Sequence, residues 1–142
     1  MSKEETRVFP ARYENLAAID QFVSKAARLA GFDSCTVFQV RLAVDEACSN
    51  IIEHAYGGEG RGVIECSHQV QDGALTIVLR DYGRPFDPKT VPQPDLEADL
   101  EDRGEGGLGL YFIRQIMDEV TFEFDQVTGN VLTLVKRQGC DS

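Results

Sequence analysis

The run VFQVRLAVDEACSNIIEHAY, Val37 to Tyr56, is the stretch on which the fold class turns. Val37, Val40, Val44, Ala47, Ile51 and Ala55 recur at three- and four-residue steps, the spacing of an apolar stripe on a helix. Ser34 is placed to cap this helix and Gly57-Gly58 to stop it. Upstream, Leu16, Ile19, Phe22, Val23, Ala26 and Leu29 repeat the pattern and end at Gly31, after a short strand near Arg7 to Phe9. Downstream, Val63 to Val70 and Leu75 to Asp81 read as strands joined at Asp72-Gly73, a hairpin signal, with Leu75, Ile77 and Leu79 on one face. Two helices followed by a hairpin exclude an alternating βαβ design. Short turns between neighbouring strands imply a mixed, mainly antiparallel sheet with helices on one face, an α+β two-layer sandwich.

Beyond Asp81 the chain loses periodicity and passes Pro85, Pro88, Pro92 and Pro94. A loop of this length inside a compact domain is more often a functional lid than a simple connection. The lid is expected over about residues 82–106, within a single domain spanning 1–142. A helix with Leu110, Ile113, Ile116 and Met117 inward then leads to a closing hairpin through Thr128-Gly129-Asn130. The expected order is β-α-α-β-β-loop-α-β-β.

The 142 residues carry 14 basic and 24 acidic side chains, a net charge of -10. Such a chain suits neither a phosphate-tracking groove nor an anionic membrane face, so no nucleic acid and no membrane partner is expected. Half of the acidic excess lies in DLEADLEDRGE, Asp95 to Glu105, where six acids meet one Arg. No apolar run approaches the ~20 residues of a membrane span and the first residues are polar, which predicts a cytoplasmic protein. Cys35, Cys48, Cys66 and Cys140 form no C-x-x-C pair, so neither a disulfide nor a zinc site is expected.

Three groups of residues carry chemistry. On the long helix, Glu46, Asn50 and Glu53 form a polar stripe at i, i+4 and i+7, beside the small residues Ala43, Ala47 and Cys48 that leave room for close approach. A carboxylate one turn from a carboxamide sets a proton acceptor beside an oxygen ligand suited to Mg²⁺. At the end of a strand, Asp81-Tyr82-Gly83 offers an acceptor for an exocyclic amine, with Gly83 free of a side chain beside it. Finally, Gly104-Glu105-Gly106-Gly107-Leu108-Gly109 opens a helix with bare backbone N–H groups, a cradle for phosphates. The dinucleotide-binding fold is rejected for this segment because no strand or βαβ unit precedes it. His54, His68 and Ser49 lack the partners that metal binding or nucleophilic catalysis needs.

The order of these pieces resembles the GHKL ATPase superfamily, whose Bergerat fold binds ATP under a lid. VDEACSNIIEHAYG, DYGRPFD and EGGLGLYFIRQIMDEV are similar, within it, to the anti-sigma factor serine kinases of the RsbW and sporulation type. The resemblance spans about Arg7 to Arg137. It implies Glu46 as general base, Asn50 as Mg²⁺ ligand, and Asp81, Gly83, Pro85 and Phe86 around the adenine. It also implies Gly104, Gly106, Gly107, Leu108 and Gly109 around the phosphates of ATP. Its implied partners are a STAS-type anti-sigma factor antagonist, phosphorylated on serine, and a sigma factor, with a homodimer as the assembly. An ATP-binding module that sequesters a partner without phosphate transfer is the alternative.

Three departures stand out. Pro85 occupies the place of a second glycine, and the threonine usual early in the last strand is replaced around Asn130 or Val131, which leaves Thr133 outside the site. Arg103 is the nearest arginine before Gly107. A protein at -10 can still hold a polyanion, because Mg²⁺ and backbone N–H groups supply the positive potential. The acidic stretch is then expected to hold the lid open until nucleotide arrives.

Overall fold

The computed structural model describes residues 4–85 and 105–139, with side chains from 111 onward in the second stretch. Strand β1 (Glu5–Pro10) is followed by a 3₁₀ turn and helix α1 (Leu16–Leu29). Helix α2 (Ser34–Asn50) runs on into a π-helical turn (Ile51–Ala55), then β2 (Val63–Gln71) and β3 (Ala74–Asp81). After α3 (Glu105–Ile116), β4 (Glu119–Asp125) and β5 (Gly129–Arg137) close the fold. The sheet runs β1-β2-β3-β5-β4, and every described pair is antiparallel. The α+β sandwich is as expected, with the sheet sharpened from mainly to wholly antiparallel among the described strands.

Burial alternates along β3, so Leu75, Ile77 and Leu79 point inward with Ile64 and Cys66 of β2 and Leu134 of β5, all fully buried. The helices cover that face with Ile19 and Val23 of α1, Val40 and Val44 of α2, and Ile113 of α3. Burying each such aliphatic side chain contributes roughly 1.5–3 kcal/mol, which is why the two periodicities in the sequence meet in one core. At the β2–β3 turn Asp72 and Gly73 have φ of 54° and 78°, the paired positive values of a type I′ hairpin, as Asp-Gly predicts. Helix α3 ends on Lys136, whose buried Nζ donates to the Ile116 carbonyl at 2.7 Å and satisfies an end-of-helix acceptor.

Three expectations need correcting. Asp33, not Ser34, caps α2: its Oδ1 accepts from Thr36 N at 2.8 Å, while Ser34 is already helical. Leu29 is 79% exposed, because the last turn of α1 reaches the rim of a cleft it shares with Glu5, Arg7, Lys25 and His68. Cys35 is disulfide-bonded, against the expectation of four reduced thiols; Cys48 and Cys66 are free and buried. Cys35 sits on the exposed first turn of α2, where the chain after β5 returns. Gln138 Oε1 accepts from Asp33 N at 3.1 Å there, and Gly139 N donates to Thr36 Oγ1 at 3.3 Å. That proximity of residues about a hundred apart arises from the fold and leaves no mark in cysteine spacing. Among the described residues, no helix is long and apolar enough to cross a membrane.

Candidate active site

The polar stripe on α2 is split where the helix changes pitch. Tyr56 N reaches back to Ile51 O at 3.0 Å and Gly58 N to Ile52 O at 2.8 Å, so the last turn is wider than an α-turn. Glu46 is exposed and Asn50 half-buried on the regular part. Glu53, on the widened turn, is drawn instead to Tyr13, whose Oη donates to Glu53 Oε1 at 2.7 Å. The stripe therefore reduces to Glu46 and Asn50. Asn50 Nδ2 is buried and has no hydrogen-bond partner among the described residues. Ala43, Ala47 and Cys48, read as room for close approach by another part of the chain or a ligand, face the core at 0, 2 and 0% exposure. Their small size lets α2 lie close to its neighbours rather than admitting a ligand.

Asp81 ends β3 on the inner face and is 4% exposed. Its Oδ1 accepts from Gly83 N at 2.9 Å and from Asn130 Nδ2 at 2.8 Å, the residue opposite it in the β3–β5 register. Burial raises the Asp81 carboxyl above the usual carboxylate range, and the Asn130 amide and Gly83 N–H pull it back down. Asn130 is the site residue that sequence reading passed over except as the place of a missing threonine. It is 2% exposed, and only the pairing of β5 with β3 brings it to Asp81. Thr133 stands three residues further on, opposite Val78.

The turn after β3 is fastened to the end of α2. Arg84 N donates to Ala55 O at 2.7 Å, and a Cβ on Gly83 would lie 2.4 Å from that same carbonyl. The missing side chain of Gly83 thus admits the helix end. Tyr56 reinforces the joint, with its Oη accepting from Tyr82 N at 2.9 Å and donating to Val63 O at 2.6 Å. The joint therefore ties the Asp81–Gly83 turn to the C-terminal end of the helix that also carries Glu46 and Asn50. Pro85 follows directly and is exposed. Phe86, Arg103, Gly104 and nearly all of the expected lid lie outside the described residues. Gly106, Gly107, Leu108 and Gly109 fall in the opening turns of α3, where the N–H groups of Gly106 and Gly107 are among the first four, which lack intrahelical acceptors.

Residues 9–136 match the family described as the histidine kinase-like ATPase domain. The chain belongs to this family. It is 31% identical over 137 residues to the serine-protein kinase RsbW of Bacillus licheniformis, covering 93% of this chain and 86% of that one. The RsbW serine-protein kinase of Halalkalibacterium halodurans is 32% identical over 131 residues, covering 89% and 78% of the two chains. Within the histidine kinase-like ATPases, the chain is thus a member of the RsbW serine-protein kinase group. Solved structures agree on the fold. The RsbU and RsbW domains of Rv1364c from Mycobacterium tuberculosis superpose with a TM-score of 0.67 at 16% identity, over 95% of this chain and 32% of that one. The catalytic domain of histidine kinase ThkA gives 0.54 at 14% identity, over 94% and 97%.

Proposed function

We propose that this protein transfers the γ-phosphoryl group of Mg-ATP to a serine on a STAS-type anti-sigma factor antagonist, and that it sequesters a sigma factor when the antagonist is absent or phosphorylated. The anchoring of the Gly83 turn to the end of α2 supports this reading, because it joins the strand end that carries the buried acceptor Asp81 to the helix that carries Glu46 and Asn50. When bound, Mg-ATP supplies the phosphoryl group and the charge neutralisation that phosphoryl transfer requires.

The chain's own residues do the rest. Glu46 orients the serine hydroxyl and takes its proton. The Asn50 side chain would ligate Mg²⁺ through its amide oxygen, the donor type this hard cation prefers. Asp81 accepts from the adenine amine, with Gly83, Pro85 and Phe86 on the adenine side. Gly104, Gly106 and Gly107 offer backbone N–H groups to the phosphates, with Leu108 and Gly109 lining the ATP site beside them. The protein acts in the cytoplasm as a homodimer.

With labelled ATP and a purified antagonist, the product is phosphoserine. Glu46→Ala lowers the rate of transfer by about 10²–10⁴-fold while ATP still binds. Undiminished transfer in that variant would reject Glu46 as the base.

A further inference from the structure

Asn130 Nδ2 stands within hydrogen-bond distance of three acceptors at once: Asp81 Oδ1 at 2.8 Å, Arg84 O at 3.1 Å and Gly83 O at 3.2 Å. The side-chain orientation follows from this crowd, since a flipped carboxamide would set its oxygen against all three. Without a donor between them, a buried carboxylate would face two backbone carbonyls, an arrangement that favours taking up a proton. The protonated carboxyl would then donate to Gly83 O or Arg84 O, and its acceptor character at the site would be lost.

We infer that Asn130 is a positioning residue that keeps Asp81 ionised and turned, so that the site accepts a 6-amino purine and refuses a 6-oxo purine. Asn130 Nδ2 and Gly83 N occupy Oδ1 of Asp81, and Oδ2 takes neither of these bonds. Asn130 Oδ1 is itself buried with no partner among the described residues, which leaves a second acceptor in the same corner. A 6-amino group carries N–H donors for such acceptors. A 6-oxo group would meet them lone pair to lone pair, at the cost of an unpaired buried polar atom. The inference rests on the nucleotide reading of this corner and adds the means by which it selects a base.

The test compares binding of ATP, inosine triphosphate and purine riboside triphosphate, each with Mg²⁺, to the full chain across pH 5 to 8. The wild type should prefer ATP over both analogues. Asn130→Ala should weaken ATP by about tenfold at pH 7 and narrow its advantage over inosine triphosphate. It should also move the loss of ATP affinity on acidification to higher pH, because ionised Asp81 has lost a stabilising donor. Asn130→Ser, which retains one donor, should fall between, and it serves where the alanine variant fails to fold by circular dichroism. In an Asp81→Asn background Asn130→Ala should produce no shift of the pH profile. Thr133→Ala, on the same strand but outside the site, should behave as wild type. A folded Asn130 variant with unchanged base preference and unchanged acid limb overturns the inference while the nucleotide site stands. A wild-type protein that binds none of the three overturns both.

Discussion

Two buried carboxyls in this molecule are solved in opposite ways. Asp81 is 4% exposed and Asp20 9%, yet Asp81 Oδ1 receives two N–H donors while Asp20 Oδ1 receives none among the described residues. The group beside Asp20, between α1 and α2, is another carboxyl, Asp45, whose Oδ1 is likewise buried without a partner. Burial first, and Asp45 second, push Asp20 up to about 7, with Arg41 opposing. Ser24 Oγ, also buried, offers no bond to either. The contrast teaches that depth alone does not decide what an acid becomes in this fold. Burial raises both carboxyls, but at Asp81 two N–H donors oppose the rise, whereas at Asp20 the neighbouring carboxyl of Asp45 adds to it.

The most damaging way to break the comparison is to remove the donor geometry at Asp81. Gly83→Ala forces a Cβ against the Ala55 carbonyl and pushes the turn off the helix end. The expected loss is about 2–3 kcal/mol in urea unfolding, with nucleotide affinity falling too. A variant as stable as wild type would show the joint to be loose.

Asp20→Asn tests the other corner. A carboxyl whose folded pKa is raised to about 7 from 3.8 gives its full stability below pH 4 and loses it as the pH climbs to 7. The amide removes that slope. The variant should gain about 1–2 kcal/mol over wild type at pH 8, the full linkage being reduced by partial solvent access, and the gain should shrink towards pH 4. Parallel pH–stability curves for the two proteins would mean that the Asp20 carboxyl is not held above its ordinary range in the folded protein. A smaller and purely functional effect is expected from Asp81→Asn. Oδ1 still accepts from Asn130 and Gly83, so stability changes by under about 1 kcal/mol while ATP affinity falls about tenfold.

The same contrast explains what could be read in the sequence. The apolar stripe from Val37 to Ala55, the Asp72-Gly73 hairpin and the inward row of Leu75, Ile77 and Leu79 are local patterns, and each stands in the structure as expected. Glu46, Asn50, Asp81 and Gly83 were singled out because the resemblance lies in motifs around them, and the structure sets the first two on α2 and the other two at and just after the end of β3. Asn130 was not, because its partner is 49 residues away and the pairing depends on strand register. The Cys35 disulfide and the carboxyl pair of Asp20 with Asp45 were hidden for the same reason: each depends on which segments the fold brings together. The divergence of Glu53 from its stripe depends on a change of helical pitch, to which a 3.6-residue count is blind.

The strand order has a consequence for the protein's synthesis. β5, residues Gly129–Arg137, lies inside the sheet between β3 and β4, although it is made after both. Until those residues leave the ribosome, β3 presents a bare edge of unpaired N–H and C=O groups, and Asp81 has no amide to meet. A nascent chain halted before residue 129 therefore exposes an edge open to wrong pairing and leaves the Asp81 carboxyl without its Asn130 donor.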